Sequence, residues 1–311
     1  MNQNSKKTGG RLRSVRAAIF IAALLLAQAA LSQAPLVLQT DFGLKDGAVA
    51  SMKGVAVKVD PNLQIFDLTH EIPAYNIWEA SYRLYQTAPY WPSGTVFVSV
   101  VDPGVGTDRK SVVLKTRSGH FFVTPDNGTL TLVAEAMGIV SLREIDEHRN
   151  RLPGSQESYT FHGRDVYAYT GARLAAGIIS FEQVGPALPA QVVVIPYEKS
   201  RIENSAAVGT IPILDVQFGN IWTNIDERTW ATIGISKGQL CTVKISKSGQ
   251  VIFEGQMPYV NSFGDVALGE PLLYQNSQLD LSIALNQGSF AQKHNIASGP
   301  EWRVEVKKMQ Q

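Results

Sequence analysis

The stretch Val96–Leu114, VFVSVVDPGVGTDRKSVVL, joins two runs of β-forming residues through a turn that carries opposite charges. The first run, VFVSVV, is apolar at nearly every position, which is typical of a strand buried on both faces of a sheet. It stops at Asp102, and a Pro-Gly-Val-Gly turn and Arg109 come before the second run begins at Ser111. Charged groups are costly to bury unless they are paired, so this placement makes Asp102 and Arg109 candidate site residues.

The segments around this stretch alternate between strand-like and helix-like patterns. Strands are predicted for PLVLQTDFG, LQIFDLTH and GTVFVSVVD, and helices for the intervening GAVASMKGVAVKV and WEASYRLYQTA. Such alternation favours an α/β fold, with a mostly parallel central sheet and helices on its faces. Asp41, His70 and Asp102 end the predicted strands, where ligands bind in sheets of this kind.

After residue 190 the pattern changes to short β runs broken by Gly, Asn and Ser, among them IPILDVQFGNIWTNI and LDLSIALN. Ser248 and Gly249, between TVKISK and QVIFEG, predict a hairpin turn. We therefore predict an α/β catalytic domain over residues 35–190 and a linker over 191–208. A smaller, mostly antiparallel β-rich carboxy-terminal domain is predicted over residues 209–311.

The amino terminus has the layout of a secretory signal peptide. Five basic residues precede the apolar run Ala17–Leu31, and small residues suited to cleavage follow near Ser32 or Ala34. A membrane anchor is the alternative, but the apolar run is short for a span of roughly 20 residues. We predict that residues 1–32 are a signal peptide, that the mature protein is periplasmic or secreted, and that it keeps no stable membrane association after cleavage.

Composition limits the possible partners of the mature chain. Apolar residues make up 44% and charged residues 18%, which suits a chain with a sizeable core. The five charges of residues 1–32 are all positive, so their removal takes the net charge from +1 to −4. A mildly acidic protein has no general electrostatic attraction for nucleic acid, and none is predicted as a partner. The single Cys241 stands in the strand-like QLCTVKI and is predicted to be a buried structural thiol.

Four short clusters carry groups capable of chemistry. Each cluster alone is more often a turn or a loop-pinning ion pair, but their concentration near predicted strand ends favours one site. Carboxylates and histidine are common metal ligands, but the clusters lack the helix i, i+4 and zinc-finger spacings of metal sites. Two arginines compete for the same carboxylates, so no metal is predicted. The clusters are TDFGLKDG with Asp41 and Asp46, VVDPGVGTDR with Asp102 and Arg109, TPDNGTL with Asn127, and FHGRDVYAY with His162, Arg164 and Asp165.

The series TDFG, VVDPGVGT, PDNG, FHGRD and FGNIWTNI resembles the S-adenosyl-L-methionine (SAM) hydroxide adenosyltransferases, which are adenosine-forming SAM hydrolases related to the SAM-dependent fluorinase and chlorinase. The resemblance runs from about Pro35 to Val306. It implies an α/β amino-terminal domain, a β-rich carboxy-terminal domain, and a homotrimer with sites between neighbouring subunits. It also implies SAM as a small-molecule substrate and no cofactor.

The resemblance assigns roles to individual residues. It implies that Asp102, Arg109 and His162 hold and activate the attacking water, and that Asp41 accepts hydrogen bonds from both ribose hydroxyls. After the NS of YQNS the fluorinating relatives carry arginine, whereas this chain has Gln278, so the contact to the substrate carboxylate stays open. The other implied substrate-binding residues are Asp46, Asp215, Phe218, Asn220, Tyr274 and Ser277.

The implied reaction is hydrolysis of SAM to adenosine and L-methionine, by attack of water or hydroxide on ribose C5′. A halide-using transferase is one alternative, although Gly163 stands where the fluorinating enzymes carry a halide-binding serine. A non-catalytic exported protein that binds SAM or adenosine is the other, motivated by the predicted export. The presence of Asp102, Arg109 and His162 together favours catalysis, and either Asp102 or His162 could take the proton from water.

Overall fold

The computed structural model describes residues 33–309, which divide into two compact units between Val194 and Ile195. The predicted signal peptide, residues 1–32, lies outside the described residues. Part of the segment predicted as a linker, Arg201–Glu203, forms a strand of the second unit. Within the described range, no helix is both long and apolar enough to cross a membrane.

The amino-terminal unit is built on one seven-stranded sheet in the order β2-β1-β3-β5-β4-β6-β7. Its strands are β1 Leu36–Thr40, β2 Ile65–Thr69, β3 Val96–Val100, β4 Ser111–Thr116, β5 Phe121–Pro125, β6 Ile139–Glu144 and β7 Ala187–Leu188. Its helices are α1 Ala48–Val59, α2 Ile77–Thr87, α3 Thr131–Met137, α4 Glu147–Asn150 and α5 Tyr169–Ala175, with a π-helical turn Gly163–Ala168 before α5 and 3₁₀ turns Ala88–Tyr90 and Phe181–Val184.

The directions of these strands confirm the predicted α/β class. β2, β1, β3 and β5 pair in parallel. β4 is antiparallel to both β5 and β6, and β7 is antiparallel to β6, so five of the seven strands run in one direction. The mostly parallel sheet that the strand–helix alternation predicted is therefore present, with the antiparallel strands gathered on one side.

Helices cover both faces of this sheet, and the central strands are buried at every position. All five residues of β1 and of β3 are buried. Leu36 and Leu38 face one way and pack in a core cluster with Met52 of α1, whereas Val37 faces the other way and packs with Leu84 of α2. This alternation is the two-residue period of a strand, and it leaves the strand ends as the places where polar side chains can gather.

The register of the central strands decides where the chemistry-bearing residues emerge. β1 and β3 are paired along their full length, and Thr40 lies opposite Val100 at their carboxyl ends. The segments that follow, Asp41 and then Val101-Asp102, therefore leave the sheet side by side. Residues 60 positions apart in the chain are brought to one edge by this pairing alone.

The carboxy-terminal unit contains two sheets, in the orders β13-β12-β16-β9-β8 and β10-β11-β15-β14. All pairings between these strands are antiparallel, as predicted. The elements are β8 Arg201–Glu203, β9 Ala206–Ile211, β10 Ile213–Asp215, β11 Asn220–Trp222, β12 Leu240–Lys247, β13 Gln250–Pro258, β14 Pro271–Gln275, β15 Leu281–Leu285, β16 Gly299–Lys308, α6 Glu227–Thr232, α7 Phe290–His294 and the 3₁₀ turn Phe263–Asp265.

Two local predictions in this unit are confirmed. Ser248 and Gly249 join β12 to β13, and both have positive φ angles of 48° and 86°, as a two-residue type I′ hairpin turn requires. Cys241 is buried in β12, and burial raises the pKa of its thiol to about 12. The thiol is therefore protonated at neutral pH and packs as a small apolar side chain.

Candidate active site

A cavity of about 230 Å³ opens at the carboxyl ends of β1 and β3. Three of the sequence-predicted site residues line it, although they come from three separate segments of the chain. Pockets that enclose a whole drug-sized ligand are roughly 300–1,000 Å³, so this cavity accommodates part of such a molecule. The lining combines Asp41, Asp102 and His162 with the apolar side chains Phe42, Val100 and Phe161.

Asp102 and Arg109 form a buried, two-pronged ion pair. Arg109 Nη2 donates to Asp102 Oδ2 over 2.6 Å, and Arg109 Nε donates to Asp102 Oδ1 over 3.0 Å. The two side chains are 5% and 12% exposed, respectively, so the pair is shielded from water. Forked pairing of this kind fixes the orientation of the carboxylate as well as its charge.

The glycine-rich loop between Asp102 and Arg109 allows the chain to fold back, so that the two side chains meet. A Cβ at position 104 would lie 3.3 Å from Arg109 Cγ. Gly106 has a φ of 77°, and a Cβ there would meet the Tyr159 carbonyl oxygen. A side chain at position 104 would press on Arg109 itself, and one at position 106 would press on the loop before His162. The PGVG turn of the sequence is therefore the local reason that the two charges meet.

His162 joins this pair through Arg109. Arg109 Nη2 also lies 2.9 Å from His162 Nδ1. Arginine has only donors, so Nδ1 accepts this bond, and the neutral ring carries its proton on Nε2. His162 directly precedes the π-helical turn Gly163–Ala168, and such turns are frequent at functional sites.

The charge state of His162 follows from its surroundings. Burial lowers its pKa below the usual 6.5. Glu147 and Asp102 raise the pKa, while Arg109 and Arg151 lower it. The net direction is downward, so His162 is neutral at pH 7.

Two residues that the sequence reasoning missed complete a closed ring of hydrogen bonds. Arg109 Nη1 donates to Ser111 Oγ over 3.1 Å, Ser111 Oγ lies 3.1 Å from Tyr167 Oη, and Tyr167 Oη donates to Asp102 Oδ2 over 3.4 Å. Tyr167 is fully buried, and burial raises its pKa far above the usual value. Tyr167 lies inside the FHGRDVYAY cluster, five residues after His162. The π-helical turn places both His162 and Tyr167 beside the Asp102–Arg109 pair.

Asp41 lies at the cavity on a turn that the backbone holds tightly. Its Oδ2 accepts a hydrogen bond from the Tyr75 backbone N–H over 2.9 Å. Gly43 N–H in turn donates to the His70 carbonyl over 2.7 Å. Among the described residues, no backbone N–H bonds the second carboxylate oxygen of Asp41, and the side chain is only partly buried, so this oxygen can accept hydrogen bonds from a ligand.

His70 braces this turn and does not line the cavity. Its side chain is buried, with Nδ1 2.8 Å from Thr40 Oγ1 and Nε2 3.0 Å from Asp67 Oδ1. Asp67 can only accept, so His70 Nε2 donates to it, and Nδ1 of the neutral ring then accepts from the Thr40 hydroxyl, whose oxygen in turn accepts from the Phe42 N–H over 3.2 Å. The placement of His70 among the ligand-facing strand ends was therefore wrong: its ring is not part of the cavity lining and holds the turn that carries Asp41.

The remaining candidates of the first unit also lie outside the cavity lining. Asn127 Nδ2 donates to the Val101 carbonyl over 2.9 Å and so holds the chain just before Asp102. Asp165 is fully buried and pairs with its neighbour Arg164 over 2.6 Å. Asp46 is exposed, and its Oδ1 accepts from Ala48 N–H at the start of α1 over 2.8 Å. In the described part of the chain, no group of three or more His, Cys, Asp or Glu is arranged to hold a metal ion.

In the second unit, three predicted residues cluster at the turn between β10 and β11. Asn220 Nδ2 donates to Asp215 Oδ2 over 3.0 Å, and the N–H groups of Phe218 and Gly219 donate to the Asp215 carbonyl. Gly219 has a φ of 69°, and a Cβ there would overlap Ser289 Oγ at 1.8 Å, so this position requires glycine. The tight turn leaves the Phe218 ring 66% exposed.

Tyr274 and Ser277 belong to the neighbouring part of the same sheet. Tyr274 and Trp222 both lie opposite Ser282, so Tyr274 shares a sheet face with Asn220 and Asp215. Burial raises the pKa of Tyr274 to about 12, so it carries a hydroxyl proton. Ser277 is exposed in the turn after β14.

Comparison with known proteins identifies the family. Residues 36–185 match the SAM hydroxide adenosyltransferase N-terminal domain, and residues 209–303 match the SAM hydroxide adenosyltransferase C-terminal domain. The chain belongs to this family, as the motif series predicted.

Individual relatives span nearly the whole chain. An (R)-S-adenosyl-L-methionine hydrolase of Salinispora tropica is 34% identical over 85% of this chain and 95% of its own length. A fluorinase of Actinoplanes sp. is 28% identical over 84% of this chain and 93% of its own length. A crystal structure of an uncharacterized conserved protein from Thermotoga maritima matches with a TM-score of 0.80 and 36% identity, covering 88% of this chain and 100% of that one.

Proposed function

We propose that this protein hydrolyses SAM to adenosine and L-methionine, by in-line attack of water or hydroxide on ribose C5′. The observation that carries the proposal is the buried Asp102–Arg109–His162 network, which faces the cavity at the end of the central strands. Membership of a family that includes a named SAM hydrolase supports the same reaction.

The chemistry of the substrate explains why this network suffices. The sulfonium on C5′ is a good leaving group and departs without a general acid. The difficult part is to place a competent nucleophile in line with the C–S bond while bulk water is excluded. Holding one water beside C5′ supplies proximity and orientation, and removal of its proton contributes roughly 10²–10⁴-fold.

The hydrogen bonds favour Asp102 as the group that takes this proton. Asp102 Oδ1 accepts one bond, from Arg109 Nε, and so keeps a lone pair for water. His162 Nδ1 is already occupied by Arg109, and its Nε2 carries the ring proton. In this arrangement Arg109 and His162 orient the water, either by donating hydrogen bonds to it or by holding neighbouring side chains in place. Asp102 accepts the proton.

The binding roles of the other residues complete the proposal. Asp41 accepts hydrogen bonds from both ribose hydroxyls, using the oxygen that the Tyr75 N–H leaves open. The exposed ring of Phe218 packs on the adenine, and Asp215 and Asn220 contact the adenine and the methionine amino group. Ser277 contacts the methionine portion, with Asp46 and Tyr274 as weaker candidates there. SAM is the substrate, and no cofactor is needed for this reaction.

The position after His162 favours water over a halide ion. Gly163 offers no hydroxyl, and a Cβ there would lie 3.1 Å from the Phe42 ring and 3.3 Å from Val100 Cγ1. A serine at this position would therefore displace side chains that line the cavity. The Asp102 carboxylate beside the same space repels an anionic nucleophile.

We further propose that the protein is exported and acts as a homotrimer with its sites between subunits. Export rests on the basic-then-apolar residues 1–32. Assembly is supported by a first-unit cavity smaller than a whole drug-sized ligand and by the exposure of Phe218 and Ser277. The mature protein is then expected to begin near Gln33 or Pro35, and an intact Met1 on cytoplasmic material from the native host would contradict export.

The decisive experiment incubates the purified residues 33–311 with SAM in ¹⁸O-labelled water and separates the products by chromatography. We expect adenosine with ¹⁸O at its 5′ oxygen, together with L-methionine, in the presence or absence of chloride and fluoride. A 5′-halogenated nucleoside would show that the halide alternative is correct. Tight binding of SAM without turnover would show that the protein is a binder.

A further inference from the structure

His162 lies between two guanidinium groups, and only one of them belongs to the proposed catalytic set. Arg109 Nη2 is 2.9 Å from His162 Nδ1, and Arg151 Nη1 is 3.5 Å from His162 Nε2. Both arginines can only donate. Since Nδ1 accepts from Arg109, the Nε2–H group faces Arg151, and the 3.5 Å approach brings two donors together without a proper hydrogen bond.

Contacts other than His162 hold Arg151 in this place. Its side chain is 6% exposed and pairs with Glu147 Oε2 over 2.5 Å. Its Nη2 donates to the Ser158 carbonyl over 2.5 Å, and its guanidinium lies 4.8 Å from the centre of the Tyr159 ring. The short helix α4 and the loop before His162 therefore hold the Arg151 cation beside the imidazole, although Arg151 gains no hydrogen bond from the ring.

A positive charge held in this way acts on the protonation of the imidazole. A second proton would place an imidazolium between two guanidinium groups, and like charges within about 4–6 Å disfavour the charged form. Protonation at Nδ1 would also break the bond from Arg109, whose Nη2 is shared between His162 and Asp102. The neutral ring with its proton on Nε2 is the state that keeps the Asp102–Arg109–His162 network intact.

We propose that Arg151 is a positioning residue that acts through His162, holding the imidazole neutral with Nδ1 free to accept from Arg109. Its consequence for turnover rests on the proposed function, whereas its effect on His162 itself does not. In the described structure Arg151 does not itself line the cavity and has no hydrogen bond to Asp102; it approaches the lining at His162, so its role is distinct from that of the proposed water-handling residues.

The expected direction follows from all the charged and titratable groups that surround His162. Burial lowers the pKa of His162, the two arginines lower it further, and the two carboxylates raise it. Replacing Arg151 by a neutral residue removes a cation and leaves the charge of Glu147 without its partner, so the pKa of His162 rises. The groups are Asp102 and Arg109 from the loop after β3, Glu147 from α4, Arg151 after it, Tyr159 before His162, and Tyr167 from the π-helical turn.

The test is an NMR titration of the His162 ring in the purified protein, assigned with His162→Asn. In Arg151→Met we expect the His162 midpoint to move upward by about one pH unit or more. Arg151→Lys keeps the charge and should leave the midpoint close to that of the wild type. Adding Glu147→Gln to Arg151→Met should return the midpoint most of the way, because the unpaired anion is then removed.

A matched control is present on the short helix α4, two residues before Arg151. Arg149 is 79% exposed and pairs with Asp146 at the surface, so Arg149→Met removes the same charge without touching the imidazole. Its His162 midpoint should be unchanged. If Arg151→Met does not fold, Arg151→Gln serves instead, because the amide can still donate to the Ser158 carbonyl while the charge is gone.

Kinetics supply the second readout. The fall of kcat/KM at low pH should move upward with the His162 midpoint in Arg151→Met, while kcat at high pH stays near the wild-type value. An unmoved His162 midpoint in a folded neutral variant overturns the proposal. A midpoint that moves in a protein without SAM turnover would instead support the role of Arg151 and contradict the proposed function.

Discussion

The loops that carry Asp102, Arg109 and His162 in the first unit and the open sheet face of the second unit differ in how many hydrogen bonds their side chains already make. Asp102, Arg109 and His162 are buried and joined to one another by hydrogen bonds of 2.6–3.1 Å. In the second unit, Asp215 and Asn220 are paired, but the Phe218 ring projects into solvent. The first region is therefore organised before any substrate binds, whereas the second keeps an exposed ring that a ligand can contact.

Physical chemistry explains this difference. A buried charge must find partners within the protein, so the carboxylate and guanidinium of the first region pair with each other and with neighbouring side chains. An exposed aromatic ring on a folded protein costs little and needs no partner until a ligand arrives. Preorganised donors and acceptors suit a reaction step, whereas an exposed ring suits binding. The following predictions test this division, beginning with the largest expected effect.

If Asp102, Arg109 and His162 hold and activate the water together, as proposed, their losses should not add. Asp102→Ala and His162→Ala should each lower kcat by roughly 10²-fold or more, and the double variant should be little worse than either single one. Substrate affinity should change much less, because these groups face the nucleophile. Single-turnover rates and equilibrium binding of SAM measure the two effects.

The competing interpretation is an ion pair that only pins two loops. It predicts that Asp102→Ala lowers the melting temperature and that activity falls only as the folded fraction falls. Melting curves recorded beside the rates separate the two. A stable, fully folded Asp102→Ala protein with wild-type turnover would end the mechanism proposed above.

Asp41 should show the opposite kinetic pattern, although it lines the same cavity. Removing an acceptor from two buried ribose hydroxyls costs about 1–3 kcal/mol, so Asp41→Ala should weaken SAM binding roughly 5- to 150-fold. Asp46→Ala, whose exposed carboxylate bonds the start of α1, is the control and should have a smaller effect. In Asp41→Ala the preference for SAM over its 2′-deoxy analogue should also shrink, and unchanged affinity would show that the ribose assignment is wrong.

Phe218 tests the second region. Stacking of a base on an aromatic side chain contributes about 1–3 kcal/mol, so Phe218→Ala should weaken SAM binding about tenfold or more. The melting temperature should hardly change, because the ring is mostly exposed. Val216→Ala, in the same turn and also exposed, is the matched control. A loss of stability in Phe218→Ala without a loss of affinity would place the ring in a structural role.

The smallest effect is expected at the brace beneath Asp41. Thr40→Val keeps the shape of the side chain but leaves the Phe42 N–H and His70 Nδ1 without their partner, so KM should rise severalfold with little change in kcat. Thr40→Ser should restore it. Lys53→Met breaks only the half-exposed pair with Asp67 at the far end of the brace and should leave KM unchanged. Equal effects of Thr40→Val and Lys53→Met would contradict a bracing role.

Sequence reasoning located the strands and the groups that follow them because both are local properties of the chain. The apolar runs at β1 and β3 and the breaks at Asp41 and Asp102 are visible without any tertiary information. It misjudged His70 because its position after a strand does not reveal which way its ring turns. Thr40 and Asp67 capture that ring, and only the pairing of β1 with β2 brings them together.

The sequence by itself determined the α/β and β-rich halves and the family, and it predicted Asp102, Arg109 and His162 as site residues, which the fold brings together. Periodicity, turn residues and motif order are written along the chain, so they require no folded contacts to be recognised. Tertiary structure alone decided that Tyr167 closes a ring onto Asp102 and that Arg151 stands against His162. Hydrogen bonds and charge interactions depend on distances of a few ångströms between side chains, and folding, not spacing along the chain, sets those distances.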